Sequence, residues 1–297
     1  MEHETEEAYE WALRQLTKVW RPPHFPKVFV TDRDKALRKA LSTVYPECDH
    51  VLCVWHLFGN INTHCRRYFK GADDQWTLFR QQWNCLCNAP DPAAYDEALA
   101  SLRSFLSARS CSVLDYMENH ILPKKEYFVK AWASHKPHMG NGATSIVESA
   151  HAYIKGFLPS AKGDFLTLWE AIATAADNQL QRIIQETATQ IQRPFNHTAY
   201  YPGIHTLRGR VSNPGFQLLF KQFDILKKSE GVLPCTRTWM DTYGIPCAHK
   251  IKHLLEFRGH LEVEDIHPQW RLKYNPQGDV GSFLTATLGA CDRPPTH

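Results

Sequence analysis

Two short apolar runs constrain this chain most, VFV at 28–30 and VLCVW at 51–55, because segments of helical period flank both. Residues 4–20 place Tyr9, Leu13, Leu16 and Trp20 at helical spacing, and RPPHFP then breaks the chain. KVFV follows as a buried strand. DKALRKALSTVY is a helix with Ala36/Leu37, Ala40/Leu41 and Val44/Tyr45 on one face and Pro46 just past its end. DHVLCVW reads as a second buried strand, and HLFGNINTHCRRYF continues helically through Leu57, Ile61, Cys65 and Tyr68. Helix, strand, helix, strand, helix implies an α/β layer with a parallel strand pair. Two strands are too few for an independently stable sheet.

The remainder is mostly helical. Trp76, Phe79, Trp83, Leu86, Leu99, Leu102 and Leu106 spell a helical block. A long helix starts at Asp164, with an apolar stripe of Leu168, Ile172, Ala176, Leu180 and Ile183/Ile184. Prolines at 194, 202 and 214 mark a connector, and RPPTH ends the chain as a disordered tail. No apolar run reaches the ~18 residues of a membrane span. The acidic start MEHETEEAYEW is not a secretory signal. Nine cysteines without such a signal point to a reducing compartment, where thiols serve as core residues or metal ligands. The net charge of +3 does not by itself argue for nucleic acid.

Several groups could carry chemistry. Asp32 ends a buried parallel strand, the usual ligand edge of an α/β sheet, where a hard cation such as Mg²⁺ binds carboxylates. Helix capping is the competing use of these acids, and Asp34 suits it better because it immediately precedes the helix. Glu148 opens a helix after a glycine-containing loop, with His151 and Lys155 on nearby turns; Ser145 and Glu148 equally fit a capping box. Cys53 and His56 form C-x-x-H, which suits half a zinc site or a packed Cys beside a hydrogen-bonded His. Cys85 and Cys87 read as core. Cys235, Cys247, His249 and His253 give C-x11-C-x-H-x3-H, four soft ligands within nineteen residues, a sound zinc set. Basic and aromatic residues interleave in PKKEYFVKAWASHKPH and HTAYYPGIHTLRGR, a pattern shared by nucleic-acid surfaces and by solvated faces.

The blocks VFVTDRDKALRKALSTVYPECDHVLCVWHLFGNI, TSIVESAHAYIKGFL and YGIPCAHKI, in that order, resemble a Mutator-like element transposase, and LEVEDIHPQWRL is most similar to fungal members. The resemblance implies an α/β, helix-rich fold: a partial RNase H-like core at 1–70, a helical insertion at 71–140 and returning core helices with Glu148 at 141–192. A connector at 193–230, a SWIM-like zinc module at 231–275 and a tail at 276–297 follow. It implies catalytic Asp32 and Glu148 holding Mg²⁺ or Mn²⁺, and Cys53 and His56 as a family motif. Zn²⁺ falls to Cys235, Cys247 and His249, with Arg237 where the family has another Cys and His253 as the candidate fourth ligand. DNA at transposon terminal repeats is the expected partner, with a homo-oligomer allowed, no membrane, and the nucleus as the site of action. The family's first catalytic Asp lies on a strand upstream of ETEEAYEWAL, so the isolated chain is expected to be an inactive DNA strand-cleaving enzyme. The alternative is a non-catalytic, transposase-derived DNA-binding or transcription-regulating protein.

Overall fold

A computed structural model describes residues 4–20, 25–142, 145–158, 160, 164–194, 200–228 and 235–272. The chain divides into two compact units, Met1–Ala175 with Arg237–Tyr243, and Ala176–Thr236 with Gly244–His297. The expected tail at 276–297 lies outside the described residues, as does the Ser145 half of the capping box.

In the first unit, α1 (Glu6–Val19) starts at Thr5, whose hydroxyl accepts the Ala8 N–H. It packs on α2 (Lys35–Val44), where the Tyr45 hydroxyl donates to the Leu13 carbonyl at 3.0 Å. Between them runs β1 (Val28–Thr31), parallel to β2 (Asp49–Leu52) from Val28↔Asp49 to Thr31↔Leu52. The expected parallel pair therefore forms. β2 is shorter than VLCVW suggests, because α3 (Val54–Cys65) begins at Val54. Cys53 makes the switch: its N–H still donates to the Thr31 carbonyl at 2.8 Å, while its own carbonyl accepts the Leu57 N–H. A short apolar run has no period that separates strand from buried helix.

The helical block comprises α4 (Asp73–Cys87), α5 (Pro92–Arg109), α6 (Cys111–Tyr116), a π-helical turn (Met117–Ile121) and the short α7 (Lys130–Ala133). Its core holds Trp76, Phe79, Trp83, Leu86, Leu102 and Leu106, all on the expected helical spacing. Aromatic rings tie it together: Phe69 lies 5.2 Å from Trp76 and 5.6 Å from Phe79, and Trp83 stacks on Phe128 at 5.4 Å. Cys87 is buried in this core, but Cys85 is exposed, since residues two apart on a helix face different ways.

The helices α8 (Ser145–Lys155) and α9 (Phe165–Gln192) follow, α9 capped by Asp164, which accepts the Thr167 N–H at 2.7 Å. The expected stripe of α9 is not its buried face. Leu168, Ile172, Ile183 and Ile184 are exposed, and the buried residues are Ala171 and Ala175. Periodicity shows that a helix is two-faced; which face is covered depends on what packs there.

In the second unit, the segment expected as a connector at 193–230 contains α10 (Asn213–Lys228), which buries Phe216, Leu219 and Phe223. Pro214 occupies its first turn, where the missing N–H costs nothing, so a supposed breaker is a helix starter. After α11 (Thr238–Tyr243, of the first unit), α12 (Ala248–Arg258) packs against α10. The Gln222 amide oxygen of α10 accepts the Ala248 N–H at the start of α12.

Phe79→Ala should cost about 3–5 kcal/mol of stability in urea unfolding. Phe165→Ala on the exposed start of α9 should stay within about 0.5 kcal/mol.

Candidate functional site

Because β1 and β2 are parallel, their carboxyl ends emerge on one edge. Asp32 follows β1 there and Cys53 follows β2. Asp34 caps α2: its Oδ1 accepts the Leu37 N–H at 2.7 Å. Asp32 is left outside the helix; its Oδ1 accepts the Asp34 N–H at 3.1 Å, and its side chain faces a cleft of about 480 Å³. His56 and Asn60 of α3 and Tyr116 and His120 of the helical block line the same cleft. Cys53 is buried at the cap of α3, whereas His56, one turn on, reaches solvent.

Glu148 comes from α8, far along the chain, yet its Oε1 stands 3.2 Å from Nε2 of His56. His56 is thus common to the Asp32 cleft and to Glu148. Asp32 and Glu148 belong to no cluster of three ligand atoms within 4.8 Å among the described residues. His151 and Lys155, expected on turns near Glu148, lie on exposed positions of α8. The role of His56 as the link is legible only as C-x-x-H in the sequence; nothing in the spacing names Glu148 as its partner.

A second cluster forms in the second unit. Cys235 Sγ lies 3.7 Å from Cys247 Sγ, and Cys247 Sγ lies 3.8 Å from Nδ1 of His249. The three ligand atoms lie within 4.8 Å of one another. The separation of the two sulfurs is close to the ~3.8 Å expected for two thiolates on one tetrahedral metal ion, so this trio could hold a metal. Burial raises the Cys247 thiol, and its contact with Cys235 pushes the same way. The expected fourth ligand, His253, is not in this cluster. Cys247 and His249 sit at the start of α12, while His253 is one turn further, about 6 Å along the axis, stacked on Phe257. The i,i+4 spacing can bring two histidines to one metal ion, but here the His253 ring lies against Phe257 and outside the trio.

The interleaved basic and aromatic run is partly consumed by packing. Lys125 Nζ lies 4.9 Å from the Tyr95 and Trp132 ring centres, and Lys136 Nζ lies 5.0 Å from that of Tyr127. Cys65 behaves as the core residue its stripe implies, with burial pushing its thiol up to about 11.

Comparison with known proteins adds two findings. Residues 1–60 match the MULE transposase domain. The chain is also 23% identical over 310 aligned residues to the PKS-NRPS hybrid synthetase cheA of Chaetomium globosum, covering 91% of this chain and 6% of that protein. This chain therefore spans a small fraction of that relative's length. No solved structure matches.

Asp34→Ala should lower stability by about 1 kcal/mol, the loss of a helix cap. Asp32→Ala should stay within about 0.5 kcal/mol, since that carboxylate accepts one exposed N–H and is not itself the helix cap. Thermal melts of both variants separate the structural acid from the available one.

Proposed function

We propose that this chain, whose first 60 residues match the MULE transposase domain, is the part of a DNA transposase that contributes Asp32 and Glu148 to a divalent-cation site. The supporting observation is the His56 link: one side chain lines the Asp32 cleft and touches Glu148 at 3.2 Å. Two carboxylates with hard oxygen donors suit Mg²⁺ or Mn²⁺, which commonly takes one or two protein carboxylates and completes its shell with water and phosphate. When bound, such a cation neutralises phosphoryl charge and activates the attacking water or 3′-hydroxyl. Here Asp32 would hold it from the β1 tip. Glu148 would hold it from α8, with His56 donating to Oε1 and fixing the carboxylate's orientation. The proposed substrate is DNA at transposon ends, and the proposed site of action is the nucleus.

Phosphoryl transfer between two cations requires a clamp of several carboxylates. Asp32 and Glu148 supply two. Their membership in no tighter cluster favours a second reading, a non-catalytic DNA-binding protein derived from a transposase. The relative's synthetase name describes a protein of which this chain matches 6%, and it carries no synthetase reading here.

A RNase H-like identity for the two-stranded layer and a SWIM-like zinc module belong to the same proposal. Cys235, Cys247 and His249 would hold Zn²⁺, with the remaining position taken by a donor outside that trio.

Titration with Mn²⁺, followed by water-proton relaxation, should give binding that weakens at least about ten-fold in Asp32→Ala and in Glu148→Ala. His56→Ala should weaken it by about ten-fold, as the loss of an orienting partner does. Equal binding in wild type and the Asp32/Glu148 double variant would remove the cation site. With Mg²⁺ and duplex DNA, the purified chain should not cut strands; cutting abolished by Asp32→Ala would instead establish a competent nuclease. Zinc content should approach one ion per wild-type chain and fall sharply in Cys247→Ser, whereas equally low content in both would end the zinc assignment.

A further inference from the structure

We propose that the groove between α3 and the α6–π-turn segment, beside Asp32, seats an unpaired stretch of DNA strand; the proposal rests on the transposase reading above. Its near wall is a polar stripe. His56, Asn60 and His64 recur every fourth residue on α3, next to the buried stripe of Leu57, Ile61 and Cys65. Eight residues of helix carry this stripe about 12 Å along the groove. The far wall is Tyr116 and His120, the second on the π-helical turn Met117–Ile121. Such turns inside helices occur often at functional sites.

The aromatic groups form a stacking platform with one end open. His64 stacks on Tyr116 at 4.7 Å with planes 15° apart, and the His64 side chain is otherwise exposed. The ring is held by Nδ1, 2.9 Å from the Asn60 carbonyl oxygen. A base laid on the outer face of His64 would extend the Tyr116–His64 stack. Bases in a duplex already stack on neighbours, so a platform of this kind selects unpaired ones. Size agrees: the Asp32 cleft of about 480 Å³ adjoins a second of about 270 Å³ that shares His64, Tyr116 and His120. Pockets of this order take molecules of nucleotide size.

Charge supplies an independent argument for an anionic strand. Arg33 lines the groove and donates from Nη1 to the His120 carbonyl at 3.3 Å. Lys124, half-buried, has Arg33, Arg38 and Lys35 as its charged neighbours, and burial together with these like charges lowers its pKa. Among the described residues, none of these four cations pairs with a carboxylate within 4.0 Å. Arg33 lines the groove and Lys35 opens α2 two residues on, a positive flank that suits a phosphate backbone. Carboxylates line both cavities, Asp32 and Asp34 beside Arg33 in the first and Asp115 in the second.

The test uses the full chain and a fluorescein-labelled dT12 strand, its duplex with dA12, and an abasic strand of equal length, followed by anisotropy at several salt concentrations. The single strand should bind at least about five-fold tighter than the duplex, and His64→Ala should weaken dT12 at least about five-fold without affecting the abasic strand. Lys35→Ala should weaken both single strands and reduce the slope of log K against log salt by about 0.7. Lys18→Ala on α1 serves as the charge control and should bind as wild type. If the chain binds DNA but His64→Ala and Lys35→Ala both match wild type, the groove assignment falls while the transposase reading stands. If no form of DNA binds, both fall. Circular dichroism of each variant confirms that the exposed substitutions leave the fold intact.

Discussion

The parallel pairing of β1 with β2 is the constraint on which the first unit depends. Its last bond, from the Cys53 N–H to the Thr31 carbonyl, fixes where both strands stop. One residue beyond each stop the chemistry begins. Asp32 leaves β1 without entering a helix, and Cys53 turns directly into α3, which lifts His56 over the same edge. An antiparallel pair would send these two ends to opposite edges. The asymmetry between Asp32 and Asp34 follows from the same point: one acid is consumed as a cap and its neighbour is not.

The pair is not self-sufficient. A two-stranded sheet is marginal, and here it is held by α1 and α2 on Leu13, Leu41 and Tyr45 and joined to the helical block through Leu52. The helical block is therefore more than an insertion filling space. It provides Tyr116 and His120, which complete the cleft that Asp32 faces. Burial of Phe69, Phe79 and Trp83 keeps that wall rigid, so a core of no chemical interest positions the polar side chains of the groove.

The second unit solves a different problem, the placement of two thiols and an imidazole. The Gln222 amide caps the first N–H of α12, which the Cys247 side chain leaves unserved. Cys247 thus remains free to turn its sulfur toward Cys235 and His249. Spacing in the chain identified these three donors, and distance separated them from His253.

Much was legible from one dimension. The helix-strand alternation, the parallel pairing, the Asp34 cap and the aromatic core of the helical block all follow from local period and side-chain chemistry, which act over a few residues. The sequence also singled out Asp32, Glu148 and His56 as candidates, but it offered no reason for His56 to meet Glu148. Only tertiary structure decided that contact, the burial of alanines rather than leucines on α9, the helix within the proline-marked connector and the exclusion of His253. Each depends on which surfaces meet across long separations in the chain. A pattern of residues records that a face is apolar or that a side chain can ligate, whereas the partner is chosen by packing, where distant atoms compete for the same few ångströms.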